Sequence, residues 1–260
     1  MGCSKIRVLA TAFVLLLPYA QRAQDLPNKT DVLQQCAIAL GGVTTIRSAT
    51  LTGTATYYGG SNPESGNAVL SARDNQNSSV VISLPSSVIN EVRTVSDGQM
   101  SGAGSGSTPY TIPERNLMTS AAWFFPNMLI AAASTLPTYA NSYVGLEKRQ
   151  SSTVHHIRIW QRRADLTANQ NEALRELSTQ ELYLDSSSLL PIATTFMIGD
   201  LPVEVNFSDY RQTQGMACSY RIQVYSRGTM VWDIQALTIN VDNSLVVPVS
   251  AGVRQEIETF

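Results

Sequence analysis

The dominant pattern along this chain is an alternation of apolar and polar residues with a period of two, which is typical of β-strands with one buried face. It is clearest where Ala49, Leu51, Ala55 and Tyr57 share one face and threonines occupy the other. Similar runs occur at residues 80–84, 143–149, 153–160, 192–198, 203–207, 220–224 and 232–241. Strands separated by such short turns must pair antiparallel, because a parallel crossover needs about a dozen residues or more.

A helix with one apolar face is predicted before the first strand. Thr30 is a suitable N-cap, and Gly41-Gly42 suit the helix C-terminus. Between them, the apolar residues recur at helical spacing: Val32, Leu33, Cys36, Ala37 and Leu40.

Three segments break the strand pattern. Residues 101–109 are rich in Gly and Ser, and we expect a mobile loop there. Residues 113–134 are strongly apolar with no charge after Arg115, which predicts one or two helices interrupted near Pro126. Residues 164–177 are rich in Asn, Gln and Glu and fit either a polar helix or a long hairpin loop.

These elements predict an α+β, mainly β domain in which an antiparallel sheet curls around its apolar face as a half-open barrel, with the helices as a lid or plug. A concave apolar interior of this kind binds amphiphilic ligands. We expect seven apolar residues to line or cover it: Leu117, Met118, Trp123, Phe124, Phe125, Met128 and Leu129. For the aromatic cluster 123–125, ordinary core packing is the alternative.

The N-terminus has the three-part order of a secretory signal peptide. Lys5 and Arg7 precede an apolar run at residues 8–20, and Ala20 and Ala23 are small residues that suit cleavage. A membrane anchor is the alternative, but the run is shorter than the roughly 20 residues that cross a bilayer. We therefore expect residues 1–23 to be removed, residues 24–260 to form one domain, and the mature protein to be periplasmic or secreted.

Composition excludes several functional classes. Apolar residues make up 43% of the chain and charged residues only 15%, which indicates a folded protein of low charge. With 18 basic against 20 acidic residues there is no basic surplus for nucleic acid. Two histidines and three cysteines are too few for the usual metal sites, and no cofactor is predicted.

The residues that could carry catalysis are not arranged for it. His155 and His156 are adjacent on a predicted strand, so they point to opposite faces and cannot share one site. No Gly-x-Ser-x-Gly motif occurs, and we do not expect an enzyme. Cys36 and Cys218 are the thiols left after cleavage; they form either a disulfide or two buried free thiols.

The C-terminal half carries motifs with a specific resemblance: residues 181–185 (ELYLD) with Leu190-Pro191, residues 207–211 (FSDYR), Gly215, residues 220–222 (YRI), Tyr225 and Gly228. This set resembles the outer-membrane lipoprotein-sorting superfamily, which includes LolA-like carriers and LolB-like acceptors. The resemblance extends from the first helix to Val241.

The resemblance implies an open barrel of about eleven antiparallel strands with a helical lid over an apolar cavity. It implies binding of lipid or lipoprotein acyl chains for carriage or sensing in the cell envelope, without covalent chemistry and with transient membrane contact at most. In the carriers a buried arginine ties the lid to the barrel, and Arg73 and Arg93 are the positions considered for it. The alternative is an envelope interaction or sensor domain of the same fold, with a filled cavity and another envelope protein as partner.

Overall fold

The computed structural model describes residues 29–42, 46–73, 75–96, 99–105 and 109–243. The expected signal peptide at residues 1–23 lies outside the described residues, and its removal stays a prediction. No helix in the described ranges is both long and apolar enough to cross a membrane.

Within these ranges the chain forms four helices and thirteen strands. The helices are α1 (Lys29–Ala39), α2 (Glu114–Leu117), α3 (Pro126–Thr135) and α4 (Ala168–Ser178). The strands are β1 (Ile46–Tyr57), β2 (Glu64–Arg73), β3 (Asn77–Ser83), β4 (Val88–Ser96), β5 (Gln99–Ser105), β6 (Pro109–Thr111), β7 (Tyr139–Arg149), β8 (Ser152–Gln161), β9 (Gln180–Asp185), β10 (Pro191–Ile198), β11 (Leu201–Thr213), β12 (Met216–Ser226) and β13 (Thr229–Asn243).

All thirteen strands belong to one antiparallel sheet in the order β6-β5-β4-β3-β2-β1-β13-β12-β11-β10-β9-β8-β7. The sheet is open, because β6 and β7 are its two edges. The pairing of β1 with β13 joins the N-terminal and C-terminal halves. The resemblance implies about eleven strands, and the described residues form thirteen.

The sheet curls strongly around one face. Residues of β3 and β4 line the same cavity as residues of β10 and β11. In the sheet order β4 and β10 are seven strand spacings apart, which would be about 34 Å in a flat sheet. The helical segment 114–135 lies on this concave face, and α2 contacts both β5 and β10.

Helix α1 forms where the pattern predicts it, but it begins at Lys29, so Thr30 lies within the helix and is not its N-cap. Its apolar residues Val32, Leu33, Cys36 and Ala37, with Leu40, are buried. The N–H of Gly42 donates to the carbonyl of Ala37 at 3.0 Å, and Gly42 has a positive φ of 107°. A left-handed glycine of this kind ends the helix and satisfies its last carbonyl groups.

The glycine- and serine-rich segment is the main correction to the predicted fold. Instead of a mobile loop, its described residues form β5 and β6, and β5 pairs with β4. A Cβ at Gly102 would lie 2.7 Å from Leu117, and a Cβ at Gly104 would lie 2.0 Å from the ring of Tyr110. Gly102 therefore makes room for Leu117 of α2, and Gly104 makes room for the ring of Tyr110. Both glycines allow close packing on a strand.

The polar segment near residue 170 is a helix, one of its two predicted forms. Helix α4 begins with a capping box in which the Thr167 Oγ1 accepts from the Gln170 N–H and the Gln170 side chain accepts from the Thr167 N–H. The guanidinium of Arg175 lies over the ring of Trp160 on β8, 5.0 Å from its centre.

The core consists of two main clusters. The barrel cluster joins β1–β3 and β10–β13 with Phe124, Phe125 and Met128. The helix cluster joins α1 and α3 with β7–β9, and Leu129 and Ile130 belong to it. The helical segment 114–135 therefore contributes to both clusters.

The turn after β9 gives a pH-dependent prediction. The Oδ1 of Asp185 accepts from the hydroxyl of Ser187 at 2.7 Å and from the backbone N–H of Ser188 at 2.8 Å. These hydrogen bonds lower the pKa of Asp185 to about 2, and the bond from the Ser187 hydroxyl has the largest effect. We expect Asp185→Asn to lower the free energy of unfolding by about 1 kcal/mol at pH 7.

The sign of this effect follows from the lowered pKa. The carboxylate stabilises the fold above its unfolded-state pKa of 3.8, and that contribution disappears as the pH falls through the folded-state value. Urea unfolding of both proteins between pH 7 and pH 3 measures the first part of this decrease. A difference that stays constant over this range would contradict the assignment.

Candidate functional site

The concave face of the sheet forms a half-open cavity of about 210 Å³, which we call the main cavity. Its wall is apolar apart from Glu91, Arg93 and Ser226. Eleven apolar side chains form the rest: Val80, Ile82, Ile89, Trp123, Phe196, Ile198, Val203, Val224, Val231, Trp232 and Ile234. An enclosure of this composition can hold a hydrocarbon chain but has little to orient a polar substrate.

The main cavity extends towards the hairpin turns at one end of the sheet. Ile198 and Ser226 are the last residues of β10 and β12 and lie at these turns. Ile198, Val224 and Trp232 are only half-buried, so this part of the apolar wall contacts water. The ring of Tyr57 packs on Trp232 with a centroid distance of 4.7 Å.

Arg93 is the buried cation of the cavity wall. Its side chain is 7% exposed, and its Nε donates to the Glu91 Oε1 at 3.0 Å. Its Nη1 points to the Asn116 carbonyl at 3.4 Å and to the Thr119 Oγ1 at 3.5 Å. Of the two arginines considered from the sequence, Arg93 therefore connects β4 to the helical segment, whereas Arg73 is exposed.

Residues 116–121, which we call the pinned segment, are held by polar side chains from several parts of the sheet. The Gln161 Nε2 donates to the carbonyl of Met118 at 2.8 Å. Asn75, in the turn after β2, accepts from the hydroxyl of Ser120 and donates from its Nδ2 to the hydroxyl of Tyr139 at 3.0 Å. With Arg93, these contacts fix the start of the helical segment to β4, β7 and β8.

The three aromatic residues at 123–125 have different environments. Trp123 is half-buried and lines the main cavity. Phe124 and Phe125 are 1% and 2% exposed and pack in the barrel cluster. The Trp123 and Phe124 rings meet edge to face, 5.5 Å apart. Both proposed roles therefore occur in this cluster: Trp123 lines the cavity, and Phe124 and Phe125 pack in the core.

The other four predicted cavity residues are not among those that line the main cavity. Leu117 is buried against Gly102 of β5, and Met118 is half-buried in the pinned segment. Met128 packs in the barrel cluster and Leu129 in the helix cluster. Their part in ligand binding stays a prediction, and the structure brings only Trp123 of the seven into the wall.

Most of the cavity wall comes from residues of the alternating runs that predict strands. Ile82, Phe196, Ile198 and Val224 belong to the alternating runs that predicted strands, and they face the cavity. The signal was therefore present, but alternation alone does not distinguish an apolar face that fills a core from one that lines a cavity.

The two histidines take part in separate contacts. The His155 Nδ1 lies 3.0 Å from the Tyr143 hydroxyl, and burial lowers the pKa of His155. The His156 Nε2 lies 2.7 Å from the Glu181 Oε2, and its ring stacks on Tyr183. Among the described residues no group of three or more His, Cys, Asp or Glu side chains could hold a metal ion.

The two cysteines are free thiols in the structure, and both are buried. Burial raises the pKa of Cys36, and it raises the pKa of Cys218 to about 11. Neither thiol is therefore a reactive thiolate at neutral pH.

We expect both thiols to resist iodoacetamide in the native protein at pH 8 and to react fully after denaturation without reductant. Peptide mass spectrometry of residues 36 and 218 measures the alkylation. A peptide pair that remains linked until reductant is added would instead establish the disulfide that the sequence left open.

No family model matches the chain, and no curated protein matches it. The solved structures that it is similar to include an outer-membrane lipoprotein-sorting protein domain from Vibrio parahaemolyticus (11% identity, TM-score 0.49), a DUF1329 family protein from Desulfovibrio piger (11%, 0.49) and a LolA superfamily protein from Nitrosomonas europaea (12%, 0.47). The alignments cover 84%, 83% and 82% of this chain and 93%, 94% and 93% of those chains. Two of these structures, those from Vibrio parahaemolyticus and Nitrosomonas europaea, carry the name of the superfamily that the sequence motifs resemble.

Proposed function

We propose that this protein binds the hydrocarbon chain of a lipid, a lipoprotein or another amphiphile in the main cavity, and that it carries or senses this ligand in the cell envelope. The observation that supports the proposal is the main cavity, whose wall is apolar except for Glu91, Arg93 and Ser226. The proposed function is burial of the ligand, with no bond broken and no cofactor.

The half-buried part of the wall is where a ligand gains binding energy. Ile198, Val224 and Trp232 still contact water, and an alkyl chain placed against them removes that apolar surface from solvent. Each methylene that becomes buried contributes about 0.8 kcal/mol. Affinity should therefore rise about fourfold per methylene until the cavity is full.

Titration with amphiphiles of increasing chain length tests the proposal. A fluorescent fatty acid reports occupancy, and unlabelled chains of increasing length displace it. We expect a steep dependence on length that ends in a plateau. Affinity that does not depend on length would contradict binding in a cavity of fixed size.

Two aspartate variants provide a matched comparison. Ile198→Asp places a charge in the cavity wall and should abolish uptake, because an unpaired charge against an apolar ligand is unfavourable. Leu237→Asp changes a β13 side chain that is 72% exposed and should bind as the wild type does. Circular dichroism and thermal unfolding verify that both variants fold.

The second candidate function is an envelope interaction or sensor domain without a ligand. It is favoured by the edge strand β7, on which Val144 and Leu146 are 51% and 52% exposed and where a strand of another protein could pair. Native mass spectrometry after mild purification distinguishes the two functions. Bound lipid supports the first, and an empty chain supports the second.

The proposal includes export. It is supported by the charged, apolar and small-residue order at residues 1–23. We expect N-terminal sequencing of the mature protein to begin near residue 24, in the periplasmic or secreted fraction. Exported protein that still begins at Met1 would contradict it.

A further inference from the structure

Arg93 has hydrogen-bond donors that the described residues leave unused. A guanidinium group carries five N–H donors. Its Nε–H has a good bond to Glu91, whereas the two Nη1 contacts are long, at 3.4 and 3.5 Å. The Nη2 has no hydrogen-bond partner among the described residues. This side chain lines the main cavity, so a bound ligand can accept from it.

The charge of Arg93 is already balanced. Glu91 lies 3.0 Å from the Nε, and these two are the charged side chains that line the cavity. An uncharged acceptor would satisfy the free N–H donors without adding charge to an apolar enclosure. A carboxylate would place a second negative charge beside Glu91, whose side chain is only 24% exposed, and the two like charges would repel.

We propose that Arg93 recognises the uncharged carbonyl of an ester- or amide-linked acyl chain and that the Arg93–Glu91 pair disfavours the free carboxylate of a fatty acid. This inference rests on the proposed binding of hydrocarbon chains in the main cavity, and it specifies the chemical class of ligand. Arg93 supplies the hydrogen bond, and Glu91 supplies the selectivity.

The test compares methyl decanoate, decanamide and decanoate at pH 8, where the acid is ionised. A change in the intensity or wavelength of tryptophan emission is a suitable readout, because Trp123 and Trp232 line the cavity. An ester is intrinsically more hydrophobic than a carboxylate, so the ratio of the two affinities is compared between the wild type and Glu91→Gln. The glutamine oxygen can still accept from the Arg93 Nε, but it leaves the guanidinium charge unbalanced.

We expect Glu91→Gln to reduce the preference for ester over carboxylate at least about tenfold, because the free charge of Arg93 then attracts the carboxylate. An unchanged ratio would overturn the inference while leaving hydrocarbon binding intact. If no chain binds to the wild type, the proposed function itself fails.

Arg93→Met is the second variant. It should weaken binding of methyl decanoate and decanamide about tenfold, the effect of losing one hydrogen bond to a charged donor. Binding of 1-chlorodecane, which lacks a carbonyl, should not change. Equal loss for all three ligands would show that Arg93 acts through the pinned segment, and would overturn its role in recognition.

Discussion

Replacing Phe124 with alanine is expected to lower the free energy of unfolding by about 3–5 kcal/mol. Its side chain is 1% exposed, in the barrel cluster between the helical segment and the sheet. Removing the ring loses the free energy gained by burying it, and it leaves a space that the surrounding strands can fill only in part. Urea unfolding followed by circular dichroism measures the loss.

Trp123→Ala is the matched control, because it removes an even larger ring one residue earlier. Trp123 is half-buried at the cavity wall, so its removal enlarges a space that already exists. We expect a smaller loss of stability than for Phe124→Ala, together with weaker uptake of hydrocarbon chains. Equal losses of stability would show that Trp123 is a core residue like its neighbour.

This contrast shows how far the sequence defines the site. Three consecutive aromatic residues predict burial, but composition does not show which ring faces the cavity. The turn between α2 and α3 directs Trp123 to the cavity and Phe124 and Phe125 to the core. A charge at Phe125, which is 2% exposed, would therefore destabilise the fold itself.

The strands were predictable where each has one buried face. In β1, Ala49, Leu51 and Ala55 are buried as the alternation requires. Strand β5 was missed because Gly102 and Gly104 have no side chains that could show a period. Their role depends on Leu117 and Tyr110, which approach the strand only in the folded protein.

The polar contacts of the pinned segment could not be predicted from the sequence, for a different reason. Asn75 and Ser120 are separated by 45 positions, and neither belongs to a periodic run or a motif. An isolated asparagine in a turn is usually explained by the turn alone. That Asn75 also holds a distant segment is evident only from the folded chain.

Replacing Asn75 with glycine is expected to lower the free energy of unfolding by about 2–4 kcal/mol. Asn75 is 5% exposed and has a positive φ of 56°, a conformation that glycine adopts without strain. The substitution therefore preserves the turn and removes only the side chain. The hydroxyls of Tyr139 and Ser120 then lose their partner inside the protein. Urea unfolding measures the loss, and hydrogen exchange of residues 118–121 measures the release of the pinned segment.

A mutant cycle distinguishes the loss of the hydrogen bonds of Asn75 from an effect of the substitution on the turn itself. Tyr139→Phe and Ser120→Ala each remove one hydroxyl, and the triple variant removes all three polar partners. Because most of the expected cost comes from buried groups left without a partner, the triple variant should lose less stability than the sum of the three single variants. Additive losses would mean that Asn75 acts through the backbone of its turn alone. Sub-additive losses, with faster exchange at residues 118–121, would establish that Asn75 fixes the helical segment over the cavity.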